Sequence, residues 1–121
     1  MNPEALRDYC LAKPGVTESF PFGGDALVFK VGGTGPPMRM FALLATESQP
    51  VTINLKCDPE RAVQLREEHA AVAPGYHMNK AHWNTITLDG SVRKADVQEW
   101  IDHSYELVRK SLPKAMQAQL I

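Results

Sequence analysis

Between Thr17 and Lys56 strand-length segments follow one another with only turn chemistry between them, so no helix has room to intervene. Residues 17–22 can begin the run, and Phe22-Gly23-Gly24-Asp25 then supplies a turn. Residues 27–31 read as a strand, residues 32–37 as a Gly- and Pro-rich hairpin loop, and residues 39–45 as the returning strand. Gln49-Pro50 turns the chain into residues 51–56, where Val51, Ile53 and Leu55 alternate with Thr52, Asn54 and Lys56. Short connections between consecutive strands imply antiparallel pairing. The polar side of the 51–56 alternation implies a sheet face that no helix covers.

Helices frame this run. Asn2 suits an N-cap and Pro3 the first helical position, Leu6, Tyr9 and Cys10 fall on one face, and Pro14-Gly15 ends the segment. Asp58-Pro59 repeats the same start signal for a helix to about His69, with Ala62, Val63 and Leu65 inward. A loop over 70–81 and a strand over 83–88 come next, with Asp89-Gly90 as the turn. In the last helix Val97, Ile101, Tyr105, Val108 and Leu112 form one stripe, while Asp96, Glu99, Asp102, Glu106 and Lys110 face water until Pro113 stops it. The expected fold is α+β: a two-layer sandwich, a mainly antiparallel sheet with helices on one side, formed by one domain over 1–121.

Thirteen basic against 14 acidic residues give a net charge of −1, so the strongly basic balance of a dedicated nucleic-acid or anionic-membrane binder is absent. No apolar run is long enough to span a bilayer, and the N-terminus lacks the pattern of a secretory signal, so the expectation is a cytoplasmic chain without a membrane partner. Cys10 and Cys57 belong to no CxxC pair and read as free thiols. Cys57, next to the Asp58 cap, is the one nucleophile to consider; the strand alternation turns it inward as a small hydrophobe.

The segment Gly75-Tyr76-His77-Met78-Asn79-Lys80-Ala81-His82-Trp83-Asn84-Thr85 concentrates polar and aromatic side chains. Tyr76 and Trp83 can stack a flat ligand while Asn79, Lys80 and Asn84 donate hydrogen bonds, or the loop can meet a phosphate backbone. On the plainer reading the aromatics plug the end of the core and Asn79 and Asn84 satisfy turn backbone. His77 and His82 lie five apart with no nearby third ligand, so no metal and no cofactor is expected. The glycines at 32, 33 and 35 precede Pro36-Pro37, which rules out a phosphate loop opening a helix. No catalytic residue is assigned, and the expectation leans to a non-enzymatic domain.

Several of these segments resemble the MmcQ/YjbR family: Pro21-Phe22-Gly23, Phe41-Ala42-Leu43-Leu44, Asn54-Leu55-Lys56-Cys57-Asp58-Pro59, Pro74 to Lys80, His82-Trp83-Asn84-Thr85 and Ile101-Asp102-His103-Ser104-Tyr105. The likeness runs from about Leu6 to Arg109, with a longer hairpin loop at 34–38. It implies a CyaY-like sandwich and a protein of a kind often labelled DNA-binding. On that reading Asn54, Lys56, Tyr76, His77, Asn79, Lys80, His82, Trp83 and Asn84 form the contact surface, and DNA binding is weak and salt-sensitive because few cations cluster. The alternative is a small-molecule or protein partner held in a pocket around the 76–84 loop.

Overall fold

Asn2 and Pro3 open the first helix as their chemistry dictates: Asn2 Oδ1 accepts from Ala5 N–H at 2.7 Å, and α1 runs over Pro3–Leu11. The structure, a computed structural model, describes residues 2–32, 38–76 and 78–120. The sheet is built from β1 (Val16–Ser19), β2 (Ala26–Val31), β3 (Arg39–Ala45), β4 (Thr52–Lys56), β5 (Val72–Pro74) and β6 (Trp83–Thr87). Its order is β1-β2-β3-β4-β6-β5 and every pairing is antiparallel. Among the described residues three further helices follow, α2 (Pro59–Glu68), α3 (Lys94–Lys110) and α4 (Lys114–Ala118). The α+β sandwich expected from the strand run is the fold observed.

The core lies between the sheet and the helices. Leu27, Phe29, Val31, Phe41, Leu44, Ile53, Leu55 and Ile86 meet Leu6, Val97, Ile101, Tyr105 and Val108. Each large apolar side chain buried there contributes roughly 1.5–3 kcal/mol. The α3 stripe is as its periodicity predicts, widened by Trp100 and Ser104. Tyr105 packs edge-on against Phe41, with ring centroids 5.4 Å apart, and its hydroxyl donates to Pro14 O at 2.6 Å, tying α3 to the end of α1.

A bulge marks β3. The β2–β3 register shifts between Phe29, opposite Ala42, and Lys30, opposite Met40, so Phe41 is left without a partner on β2. Ser104 of α3 serves this irregular spot: its hydroxyl donates to Phe41 O at 2.5 Å and accepts from Lys56 N–H at 2.9 Å. The side chain is fully buried.

Three local expectations need correcting. Residues 20–22 are not strand: β1 stops at Ser19, and Phe20 and Phe22 stand exposed in the turn that Gly23 closes with φ 118°. Val63 does not face inward but is 48% exposed, because α2 offers the sheet only Ala62 and Leu65, and Val63 lies about 100° around the helix from Ala62. The 70–81 segment is not all loop, since Val72–Pro74 pairs with the edge of β6. Proline at its end fits an edge, where no further strand asks for its N–H. Asp102 faces water with 49% of its side chain exposed, as expected, and also reaches α1, accepting from Tyr9 Oη at 2.7 Å and pairing with Lys13. His103 is half-buried and accepts from Asp58 N–H at 3.3 Å. The hairpin loop at 33–37 lies outside the described residues.

Candidate functional site

The helices cover one side of the sheet and leave the other open. The 51–56 alternation places Thr52, Asn54 and Lys56 on that open side, as expected, but the face as a whole is not polar. The flanking strands bring Ala26, Met40, Leu43 and Ala45 from β2 and β3, and Trp83 from β6. Alternation in β2 and β3 had been masked by their apolar composition, since both sides of these strands are hydrophobic. Tyr76, Met78 and Asn79 of the segment after β5 stand over one end, and Phe22 rises from the β1–β2 turn. Together they enclose a groove of about 1000 Å³. It crosses from β2 to β5, about 19 Å at a strand spacing of about 4.8 Å. Phe22 and Tyr76, 73% and 68% exposed, stand at its border.

The loop is braced from both layers. Behind the sheet, Arg66 of α2 donates to Asn84 Oδ1 at 2.7 Å, to Trp83 O at 3.4 Å and to Lys80 O. Asn84 donates in turn to Ala62 O at 3.4 Å. Within the loop, Asn79 Oδ1 accepts from Ala81 N–H at 2.9 Å, Asn79 O accepts from Trp83 N–H at 3.0 Å, and Lys80 Nζ donates to Gly75 O at 3.1 Å. In front, Tyr76 N–H donates to Thr85 Oγ1 at 3.0 Å, and Thr85 Oγ1 donates to Asn54 Oδ1. Gly75 is required here for space: a Cβ would fall 2.7 Å from Trp83 Cβ and 3.0 Å from Trp83 O.

The nine sequence-selected residues therefore divide. Asn54, Tyr76, Asn79 and Trp83 line the groove. Lys56 lies on the same face, opposite Trp83 in the register, and Lys30 opposite Met40 adds a second cation that sequence reading did not select. Asn84 is separated from them. It points into the helix-covered layer, 2% exposed, where it joins α2 to β6. Strand parity explains this, because Trp83 and Thr85 occupy the open face and their neighbour must face the other way. Lys80 is exposed but braces its own loop. His82 is exposed, and its main-chain carbonyl accepts from Cys57 N–H at 2.7 Å. His77 lies outside the described residues.

Sequence reasoning missed Phe22, Met40, Leu43 and Thr85 as site residues. The signal for Thr85 was its place two residues beyond Trp83; the others depend on which strands become neighbours. Cys10 and Cys57 are both buried on the helix side, and burial raises each thiol's pKa, that of Cys10 to about 12. Neither is a nucleophile at the groove. Among the described residues no three His, Cys, Asp or Glu side chains converge in a way that could hold a metal ion, and no helix is long and apolar enough to cross a membrane.

Fold and groove define the class: a two-layer α/β sandwich whose uncovered sheet face carries an apolar, aromatic-rimmed cleft. The chain belongs to the YjbR family, whose model matches residues 11–107. It is 34% identical over 121 residues to the uncharacterised protein YjbR of Escherichia coli K12, covering 100% of this chain and 98% of that one. The uncharacterised protein YbdF of Escherichia coli O157:H7 is 33% identical over 118 residues, 97% of this chain and 92% of its own. Among solved structures, Deinococcus radiodurans protein DR2400 superposes with a TM-score of 0.92 at 43% identity, covering 98% of this chain and 87% of that one. A Pseudomonas syringae protein superposes with a TM-score of 0.75 at 28% identity, with 89% and 99% covered.

Proposed function

We propose that this protein is a non-enzymatic binding domain that takes a small apolar or aromatic molecule in the groove on its open sheet face. The observation that carries this reading is the groove itself. It is a half-open cleft of about 1000 Å³ with an apolar floor, bordered by two aromatic side chains left largely in water. Clefts of this size, mostly apolar with a few placed polar groups, are the usual form of small-molecule sites. Covering the exposed faces of Phe22 and Tyr76 would supply binding energy that the free protein forgoes.

The test uses 8-anilinonaphthalene-1-sulfonate, whose emission rises in apolar surroundings. The expected result is saturable binding that is lost in Leu43→Asp, a change on the open face away from the core. Emission that never saturates, or that survives this change, would overturn the reading.

A second reading, single-stranded nucleic acid, is favoured by one arrangement. Lys30 and Lys56 share the open face with Trp83, two strand spacings apart, about 10 Å. Bases stacked on Trp83 and Tyr76 with phosphates on the two lysines would bind weakly, with a log–log salt slope of about −1.4 for two contacts. DNA binding of this kind would appear in oligonucleotide anisotropy at low salt and vanish in Lys30→Ala/Lys56→Ala. No oligonucleotide binding at low salt would leave the small-molecule reading alone.

A further inference from the structure

One polar group on the groove floor, the Asn54 carboxamide, is held in orientation by a chain of hydrogen bonds from Tyr76 through Thr85. The Tyr76 main-chain N–H can only donate, and it donates to Thr85 Oγ1 at 3.0 Å. Thr85 has a single hydroxyl proton, which goes to Asn54 Oδ1. The carboxamide of Asn54 is thereby oriented, with its oxygen toward Thr85 and its NH2 group toward the groove. Were the amide turned over, Thr85 Oγ1 would accept two N–H groups and its own proton would have no acceptor in the protein. Asn54 is only 9% exposed, yet its Nδ2 has no hydrogen-bond partner among the described residues and is not sealed from the groove. A donor so far withdrawn from water and left without a protein partner is selective for what it meets.

We propose that the ligand is an apolar or aromatic molecule carrying a hydrogen-bond acceptor, a carbonyl or carboxylate oxygen or an unprotonated ring nitrogen, which sits on Asn54 Nδ2. This rests on the groove being a ligand site. The acceptor is flanked by apolar parts of the ligand, because Leu43 lies opposite Asn54 on β3, with Ala45 next along that face, and Ala73 lies beyond Thr85 on β5. A ligand offering only N–H donors at this point would set donor against donor and leave both without a partner. The site therefore discriminates by the polarity of one group and not by overall hydrophobicity.

The experiment compares 2-acetonaphthone with 2-isopropenylnaphthalene, two probes of nearly the same shape that differ in C=O against C=CH2. Affinities are read from amide shifts in two-dimensional NMR spectra, for the unmodified chain and for Asn54→Leu. The expected result is that the ketone-to-alkene affinity ratio falls about tenfold when Asn54 is replaced, the worth of one partly buried hydrogen bond. Thr85→Val, which frees the carboxamide to turn, should lower the ratio in the same direction and serves if Asn54→Leu fails to fold. A ratio unchanged in both variants would overturn the acceptor assignment while the groove still binds. Failure of both probes to bind the unmodified chain would overturn the groove reading and this inference together.

Discussion

Replacing Ser104 by alanine removes one oxygen and leaves two main-chain groups without a partner. Phe41 O loses its donor and Lys56 N–H its acceptor, at a point where the bulge has already taken Phe41 out of the β2–β3 register. Ser104 is fully buried, so water does not replace the hydroxyl. A buried polar group stripped of its partner costs about 1–3 kcal/mol, and with two groups and some relaxation the expected loss is about 3 kcal/mol. An unfolding entropy of about 2.1 cal/mol/K per residue gives about 0.25 kcal/mol/K for 121 residues, so Tm should fall by about 12 °C. Urea unfolding of the two proteins, followed by circular dichroism, measures the difference directly. The m-value should not change, because the same surface is exposed. A loss below about 0.5 kcal/mol would refute the claim that this hydroxyl stands in for the interrupted ladder.

Gly75→Ala should cost about 1–3 kcal/mol, because the new Cβ meets Trp83 main-chain as well as side-chain atoms that cannot swing away. Groove binding of 8-anilinonaphthalene-1-sulfonate should weaken with it, whereas Gly24→Ala, with open space around its Cβ, should leave both unchanged. Arg66→Ala should cost about 1.5–3 kcal/mol, the range for hydrogen bonds to a charged group. Hydrogen exchange should accelerate first at Trp83 and Asn84; uniform acceleration would argue against a local brace. His103 has a pKa below its ordinary 6.5, chiefly because it is half-buried and secondly because Arg61 is near, with Asp58 and Glu99 opposing. Its stabilising contribution is therefore complete above about pH 6.5 and is lost as pH falls toward the lower folded value. His103→Gln should flatten that slope in urea midpoints, and an unchanged slope would assign it elsewhere. The folded protein should resist thiol reagents at mildly alkaline pH, since Cys10 and Cys57 are buried with raised pKa values; fast modification of either would contradict their placement.

The fold was legible wherever one periodicity acted alone. The caps at Asn2-Pro3 and Asp58-Pro59, the 39–45 strand and the α3 stripe all follow from local chemistry that tertiary contacts then reinforce. Reading failed where long-range pairing decides. Val72–Pro74 is too short to announce itself as a strand and becomes one only because the β6 edge is there to pair with. Val63 looked inward because apolar type was read without the angle that α2 makes with the sheet. At the site, Tyr76 and Trp83 could be picked from their chemistry, and the 51–56 alternation put Asn54 on the open side. Leu43 and Met40 could not be picked, since nothing in a uniformly apolar strand tells which side chains meet a helix and which meet water. Asn79 and Asn84 both satisfy backbone or bracing partners, Asn79 while also lining the groove, and the open face is apolar where a polar one was expected.

The cleft and the core share the same strands but divide them by parity. In β4 Thr52 and Asn54 line the cleft while Ile53 and Leu55 belong to the core; in β6 Trp83 and Thr85 line the cleft while Ile86 belongs to the core. Cleft and core are thus written in interleaved positions on opposite faces of the sheet. A library confined to positions 52, 54, 83 and 85, with 40 and 43 on β3, would rework the cleft lining, and with it the proposed binding, while the core side chains stay unchanged. One inserted or deleted residue within β4 does the opposite. It would send Asn54 into the core and Ile53 or Leu55 to the cleft, exchanging the two texts at once.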